Sequence, residues 1–207
     1  KNTLIVSISI CLVAIYVATQ SWDKITYHWE TRFFDPANLI VLTFTFIAIK
    51  ILHELAHAIS LKHFGAESRE CGIYLMVFIP LPYIDCSSIY SIRNKYQRLW
   101  ISLAGVQIES TIAAIAFLLW QSVPPSAFKD VLFNLAFIGG FSSLLFNLNP
   151  LMKFDGYYAL SDIFGVYNLD KQSKESLKSH ILSKFNDASA SAYESSNWLS
   201  LYALLAT

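Results

Sequence analysis

Residues 39–59 read LIVLTFTFIAIKILHELAHAI. A helix that crosses a bilayer needs about 20 mostly apolar residues, and this stretch is that long. It is apolar except for Lys50, His53, Glu54 and His57. Working outward, three more stretches share its character. Residues 3–19 and 131–148 carry no charge, and residues 99–120 carry one, Glu109. Four such stretches in 207 residues are hard to reconcile with a soluble fold. The expected fold is an all-α membrane protein, a polytopic bundle of about four transmembrane helices. A fifth apolar run, 198–206, reads as the start of a further span in a longer protein. The first stretch lacks a small-residue cleavage site and reads as a retained span, not a cleaved signal peptide. The division that follows is a transmembrane core over 1–164, then a cytoplasmic tail and the start of that further span over 165–207.

Composition agrees. The chain is 55% apolar and 14% charged, about half the charged share of a soluble domain. Fifteen Lys and Arg balance fifteen Asp and Glu, so no broad basic field exists and nucleic acid is excluded as a partner. With 15 Phe, 11 Tyr and 5 Trp the chain is not disordered. The basic residues sort between the spans. Lys24 and Arg32 follow the first; Lys62, Arg69, Arg93, Lys95 and Arg98 follow the second; Lys129 follows the third; Lys153, Lys171, Lys174, Lys178 and Lys184 follow the fourth. The positive-inside rule then puts the 62–98 loop, the tail and the N-terminus in the cytoplasm.

Cys11, Cys71 and Cys86 form no C-x-x-C pair and read as small buried residues. The Ser-rich stretch 173–196 reads as a tail or short surface helices. In the 65–98 loop, residues 72–81 are apolar but too short to span, and Pro80 and Pro82 interrupt them. This predicts a short hairpin or re-entrant piece at the membrane surface, whose edge strand offers a place for strand addition.

The chemistry lies in the opening stretch. His53-Glu54-Leu55-Ala56-His57 is H-E-x-x-H. Residues four apart share a helix face, so both imidazoles can hold one zinc, with Glu54 placed to take a proton from water. Ionisable groups inside hydrocarbon are costly, which favours function over a structural polar cluster. A catalytic zinc usually has a third protein ligand. His63 lies about 240° round the helix from His57, and Ser60 stands where a helix-breaking Gly would be needed, so His63 reads as interfacial. Asp155 is the better candidate. It sits between Pro150, which breaks the fourth span, and Gly156, which permits unusual backbone angles. The predicted topology brings it to the same depth as His53 and His57. Lys50 reads as a residue that snorkels to the interface.

His53-Glu54-Leu55-Ala56-His57 with Phe64-Gly65, then Asn147-x-x-Pro150-x-x-x-x-Asp155-Gly156, resembles the signature of the site-2 protease family of intramembrane zinc metalloproteases. The resemblance covers roughly residues 39–158. The run Lys153-Phe154-Asp155-Gly156-Tyr157-Tyr158 is similar to the bacterial peptide zinc metalloprotease branch, which accompanies secreted peptides and export adaptors. It implies His53, His57 and Asp155 as ligands of Zn2+, Glu54 as general base and Asn147 as a contact for substrate or oxyanion. It further implies a membrane-embedded or leader peptide as substrate, export or adaptor proteins as partners, and a bacterial plasma membrane with the site near the cytoplasmic leaflet. One departure stands out. The family's third core helix often carries A-G-P-x-x-N, whereas here Ala104-Gly105 is followed by Val106 and Glu109. Glu109 is then an active-site carboxylate that meets substrate, a partner for an interior cation, or a protonated packing residue; the functional reading is preferred. The competing readings are a non-proteolytic component of peptide export or immunity that keeps a structural metal, and a soluble metzincin-like protease, which the four spans disfavour.

Overall fold

The computed structural model describes residues 2–76, 79–185 and 197–206. Among them four helices are long and apolar enough to cross a membrane. They are α1 (Asn2–Gln20), α3 (Pro36–His63), α4 (Lys95–Ser122) and α5 (Ala127–Ser142), the last prolonged by a wider π-type stretch to Asn147. The protein is an all-α polytopic membrane protein, as its hydropathy pattern predicts.

The helix boundaries follow local chemistry. Asp35 caps α3 by accepting from the Ala37 N–H at 2.9 Å, with Pro36 in the first turn where its missing N–H is harmless. Asn94 caps α4 through Tyr96 N–H at 2.9 Å, and Ser126 caps α5 through Lys129 N–H at 3.3 Å. Helix α3 stops at Gly65, whose φ of +82° suits glycine. A short helix, α2 (Trp22–His28), and a π-type turn, Trp29–Phe33, fill the connection between the first two spans.

Helix α4 is the hub, packing against α1, α3, α5 and α6 (Asp155–Phe164). Half of its apolar stretch is buried inside the protein, against 11% for α1, which turns Ile5, Leu12 and Ile15 outward to lipid. At one end of the bundle Phe33, Trp120, Leu132 and Phe133 form a cluster; at the other, Leu61, Ala66, Ile92 and Ile101 do. Gly139 lets α5 approach α3 and α4, since a β-carbon there would press on Ile49 and the Glu109 carbonyl.

The 72–90 loop is an antiparallel hairpin of β1 (Cys71–Met76) and β2 (Ile79–Ile84), with Cys71 opposite Ile84 and Tyr74 opposite Leu81, followed by a short 3-10 turn at Ser87–Ser91. Strand β2 packs on α3. Cys71 is exposed on the outer strand, contrary to the expectation of a buried residue, while Cys11 and Cys86 are half-buried. Part of the Ser-rich stretch forms α7 (Leu169–Phe185); residues 186–196 lie outside the described residues. The fifth apolar run forms α8 (Asn197–Leu205), whose Tyr202 packs with Tyr157 and Leu169.

Candidate metal centre

His53 and His57 lie one turn apart on α3 and are both buried against α4. Gly105 makes this possible: a β-carbon there would overlap the His53 ring. His57 Nδ1 is 2.8 Å from the Ile101 carbonyl. A carbonyl only accepts, so Nδ1 carries the proton and Nε2 of the neutral ring is bare. His53 turns its Nδ1 to Glu109 Oε1 at 3.3 Å. Both rings therefore aim Nε2 the same way, and the two atoms are 3.1 Å apart.

Asp155 reaches the same point from the other side. The chain leaves α5 through the π-type stretch, turns over residues 149–154 and enters α6 at Asp155. Its Oδ2 lies 3.1 Å from His53 Nε2 and 3.3 Å from His57 Nε2. Gly156 serves this turn differently from the sequence expectation. It does not adopt a positive φ. A side chain there would run into the Leu148 carbonyl, so space and not backbone freedom demands glycine.

The three atoms form a triangle with sides of 3.1, 3.1 and 3.3 Å. A tetrahedral ion with bonds of about 2.0–2.1 Å separates its ligands by roughly 3.3–3.4 Å, so the residues are near the required spacing. Asp155 Oδ2 is buried and accepts no hydrogen bond. An acceptor in that state is unfavourable, and a cation among the three atoms offsets the cost. Two imidazoles and a carboxylate are a donor set that suits zinc. Among the described residues this is the group of His, Cys, Asp and Glu side chains able to hold a metal ion. His63 is exposed in the last turn of α3 and meets Phe64 edge-on outside the group.

Glu54 stands beside the triangle on a cleft of about 440 Å³ that His57, Asp155, Ile84, Cys86 and Tyr90 also line. Its Oε2 accepts from the Ile84 N–H at 3.2 Å. The sequence of β2 explains that contact. Proline has no N–H for the ladder, so Pro80 and Pro82 occupy outward positions of the pairing, and Ile84, two residues on, points outward as well. That edge therefore lacks donors at 80 and 82, which makes it a poor template for an added strand, and its remaining N–H goes to Glu54. Burial, with help from the carboxylates of Glu54 and Asp155, pushes the Cys86 thiol up to about 12. Cys86 is thus a neutral wall of the cleft at pH 7 and not a nucleophile.

Glu109 and Asn147, expected to meet substrate, are joined to each other in one buried network. Glu109 is 0% exposed. Its Oε1 pairs with Lys50 Nζ at 2.7 Å; its Oε2 accepts from Ser143 Oγ at 2.5 Å and from Asn147 Nδ2 at 2.8 Å. Residues 143–147 form the π-type stretch, which brings both donors to one oxygen; such stretches cluster at functional sites. Lys50 does not snorkel. It stands one turn before His53 on α3 and turns inward to the buried Glu109 carboxylate and to Ser142 Oγ at 2.8 Å. Sequence reasoning offered an interior cation as one partner for Glu109 but did not name Lys50, and it missed the part of Gly105. The signals were present: opposite charges in two spans, and a glycine one turn before Glu109. The Ile84 N–H, a backbone group, left no such signal.

No family model matches the chain, and no solved structure matches it. It is 29% identical over 136 residues to a curated protein of Bacillus subtilis (strain 168) named "Putative peptide zinc metalloprotease protein YydH". The match takes in 65% of this chain and 51% of that protein, so the chain spans about half the length of the curated relative it matches. The likeness supports a distant metalloprotease-like relationship.

Proposed function

We propose that this protein is an intramembrane zinc metalloendopeptidase of the site-2 protease type, acting on membrane-embedded or leader peptides. The observation that carries the reading is the meeting of His53, His57 and Asp155 at one point, with Glu54 beside it on an open cleft. A zinc held only for structure closes its fourth position with a protein ligand. Here Glu54, His57 and Asp155 line a cleft of about 440 Å³. The name of the Bacillus relative points the same way.

His53, His57 and Asp155 would hold the ion. When bound, zinc polarises a peptide carbonyl and lowers the pKa of water toward about 7. Glu54 takes a proton from the attacking water and returns it to the departing amine nitrogen, so that water adds across the C–N bond and yields an acid and an amine. The Ile84 N–H holds one Glu54 oxygen and leaves the other for the proton. The Ile101 carbonyl fixes the direction of the His57 ring. One of the two Asn147 N–H groups is committed to Glu109, and the second is assigned to substrate or oxyanion. The substrate must be extended at the cleft, because a helix hides its carbonyls. The distribution of Lys and Arg supports a cleft at the cytoplasmic leaflet of a bacterial plasma membrane.

Glu54→Gln tests the reading. In purified protein reconstituted in lipid, it keeps zinc at the wild-type stoichiometry and loses cleavage of a hydrophobic reporter peptide by at least about 100-fold, the scale of a general base. Full cleavage by this variant refutes the mechanism. Zinc without cleavage in the wild type favours the non-proteolytic alternative.

A further inference from the structure

Glu109 receives more ligands than an ion pair needs. Lys50 Nζ, Ser143 Oγ and Asn147 Nδ2 all donate to it, the first from the helix that carries His53 and the other two from the π-type stretch that packs on α4. Lys50 is three residues before His53, on the same face of α3. Gly105, four residues before Glu109 on α4, makes the space in which the ring lies. The carboxylate is fully buried, and the Oε1 that holds Lys50 is also the oxygen facing His53 Nδ1 at 3.3 Å. Two readings of this network differ in what they predict. A pair that only stabilises the bundle needs Lys50 and Glu109 to satisfy each other. A pair that serves the metal needs the carboxylate opposite Nδ1, whatever neutralises it.

We propose that Glu109 is a positioning residue for His53: its carboxylate stands opposite Nδ1, a ring atom without another hydrogen-bond partner, and serves as the acceptor that turns Nε2 toward His57 and Asp155, while Lys50 supplies the opposite charge in a dry bundle. This rests on the metal reading above and adds to it the group that orients one ligand. His57 has a backbone carbonyl for the same task. His53 meets no such carbonyl, and a side chain from the next span takes that place. Outer partners of this kind typically change metal affinity by about 10–100-fold. Lys50 has the complementary part. A buried carboxylate without its cation would be strongly unfavourable, and the hydroxyls of Ser142 and Ser143 alone supply no charge.

The test separates the two readings by removing the pair as a unit. Lys50→Met with Glu109→Met leaves no buried charge unpaired, keeps similar side-chain lengths and removes the acceptor opposite Nδ1. The protein, purified whole in detergent and stripped with a chelator, is measured for thermal unfolding and then for Zn2+ affinity by competition with a chromophoric chelator. The expected result is a melting temperature close to wild type with Zn2+ binding about 10–100-fold weaker. A folded double variant that binds Zn2+ as tightly as wild type overturns the proposal. Should the double variant not fold, Glu109→Asp keeps a carboxylate for Lys50 but withdraws it by one methylene. A several-fold loss of Zn2+ affinity in that folded variant supports the proposal, and wild-type affinity overturns it. Wild-type protein that binds no Zn2+ in the same assay overturns both this proposal and the metal reading. Wild-type protein that binds Zn2+ yet cleaves no peptide overturns only the peptidase reading, and the weakened binding of the variants then still supports Glu109 in its positioning part.

Discussion

The two ends of the bundle both bury a histidine beside a carboxylate, and only one of them is built like a site. At the far end His28 Nε2 lies 3.3 Å from Asp130 Oδ1, and Asp130 also receives Arg32 at 3.1 Å. The His28 ring is packed between Trp120 and Phe133. Deeper in that half, Asn38 and Asn134 exchange amide hydrogen bonds of 3.4 and 2.8 Å. The buried polar atoms there that lack a partner, Trp120 Nε1 and Gln121 Nε2, are donors. At the near end His53 Nδ1 also lacks a partner, but there the second orphan, Asp155 Oδ2, is an acceptor, and two bare imidazole nitrogens point at it. Buried polarity alone therefore does not mark function in a membrane protein. Lone pairs converging without protons between them do, because a cation is what satisfies them.

The contrast can be broken first at Asp155. Asp155→Asn keeps the size but loses the charge. It is expected to cost more Zn2+ affinity than the 10–100-fold typical of an outer partner and to bring peptide cleavage to background, read by metal analysis and a reporter-peptide assay. Gly105→Ala comes next. Its methyl group displaces the His53 ring, with an expected loss of stability of about 1–3 kcal/mol from overpacking together with weaker Zn2+ binding. Alanine tolerated at full Zn2+ affinity would show that the ring has room to move. At the far end, Asn38→Ala strands the buried Asn134 amide and should cost about 1–3 kcal/mol in chemical unfolding, with Zn2+ affinity unchanged. A drop in affinity there would erase the distinction between the two ends. The smallest effect concerns pH. Burial holds the His28 imidazole below its ordinary value, against the pull of Asp130. The unfolded chain then takes up the proton first as pH falls through about 6.5, so stability declines on acidification. His28→Phe should make that decline shallower in melting curves between pH 7 and 5.

Much of this was legible in the sequence, for physical reasons. Hydrocarbon demands long apolar runs, so the four spans stood out from composition alone. Helical spacing placed His53 and His57 on one face, and the Pro150–Gly156 interruption gave Asp155 its place. What was not legible depends on packing between helices. The inward turn of Lys50, the cradle at Gly105 and the crowding at Gly156 all depend on which faces meet, and one-dimensional patterns do not carry that. The hairpin was foreseen, but its hold on Glu54 runs through the Ile84 backbone N–H, which every residue except proline possesses. Residues 22–33 were read only as the loop that carries Lys24 and Arg32, yet they fold as α2 and a π-type turn.

The three candidate ligands enter the chain at very different times. His53 and His57 belong to the second span, and Asp155 follows the fourth, 98 residues after His57 (155 − 57). A ribosome making this chain thus inserts the H-E-x-x-H helix well before the residue that completes the triangle exists. On the proposed reading, a half-made chain is inert. Cleavage power arrives only when the fourth span is in place and α6 has folded back, which spares the machinery that inserts it and its neighbours in the bilayer.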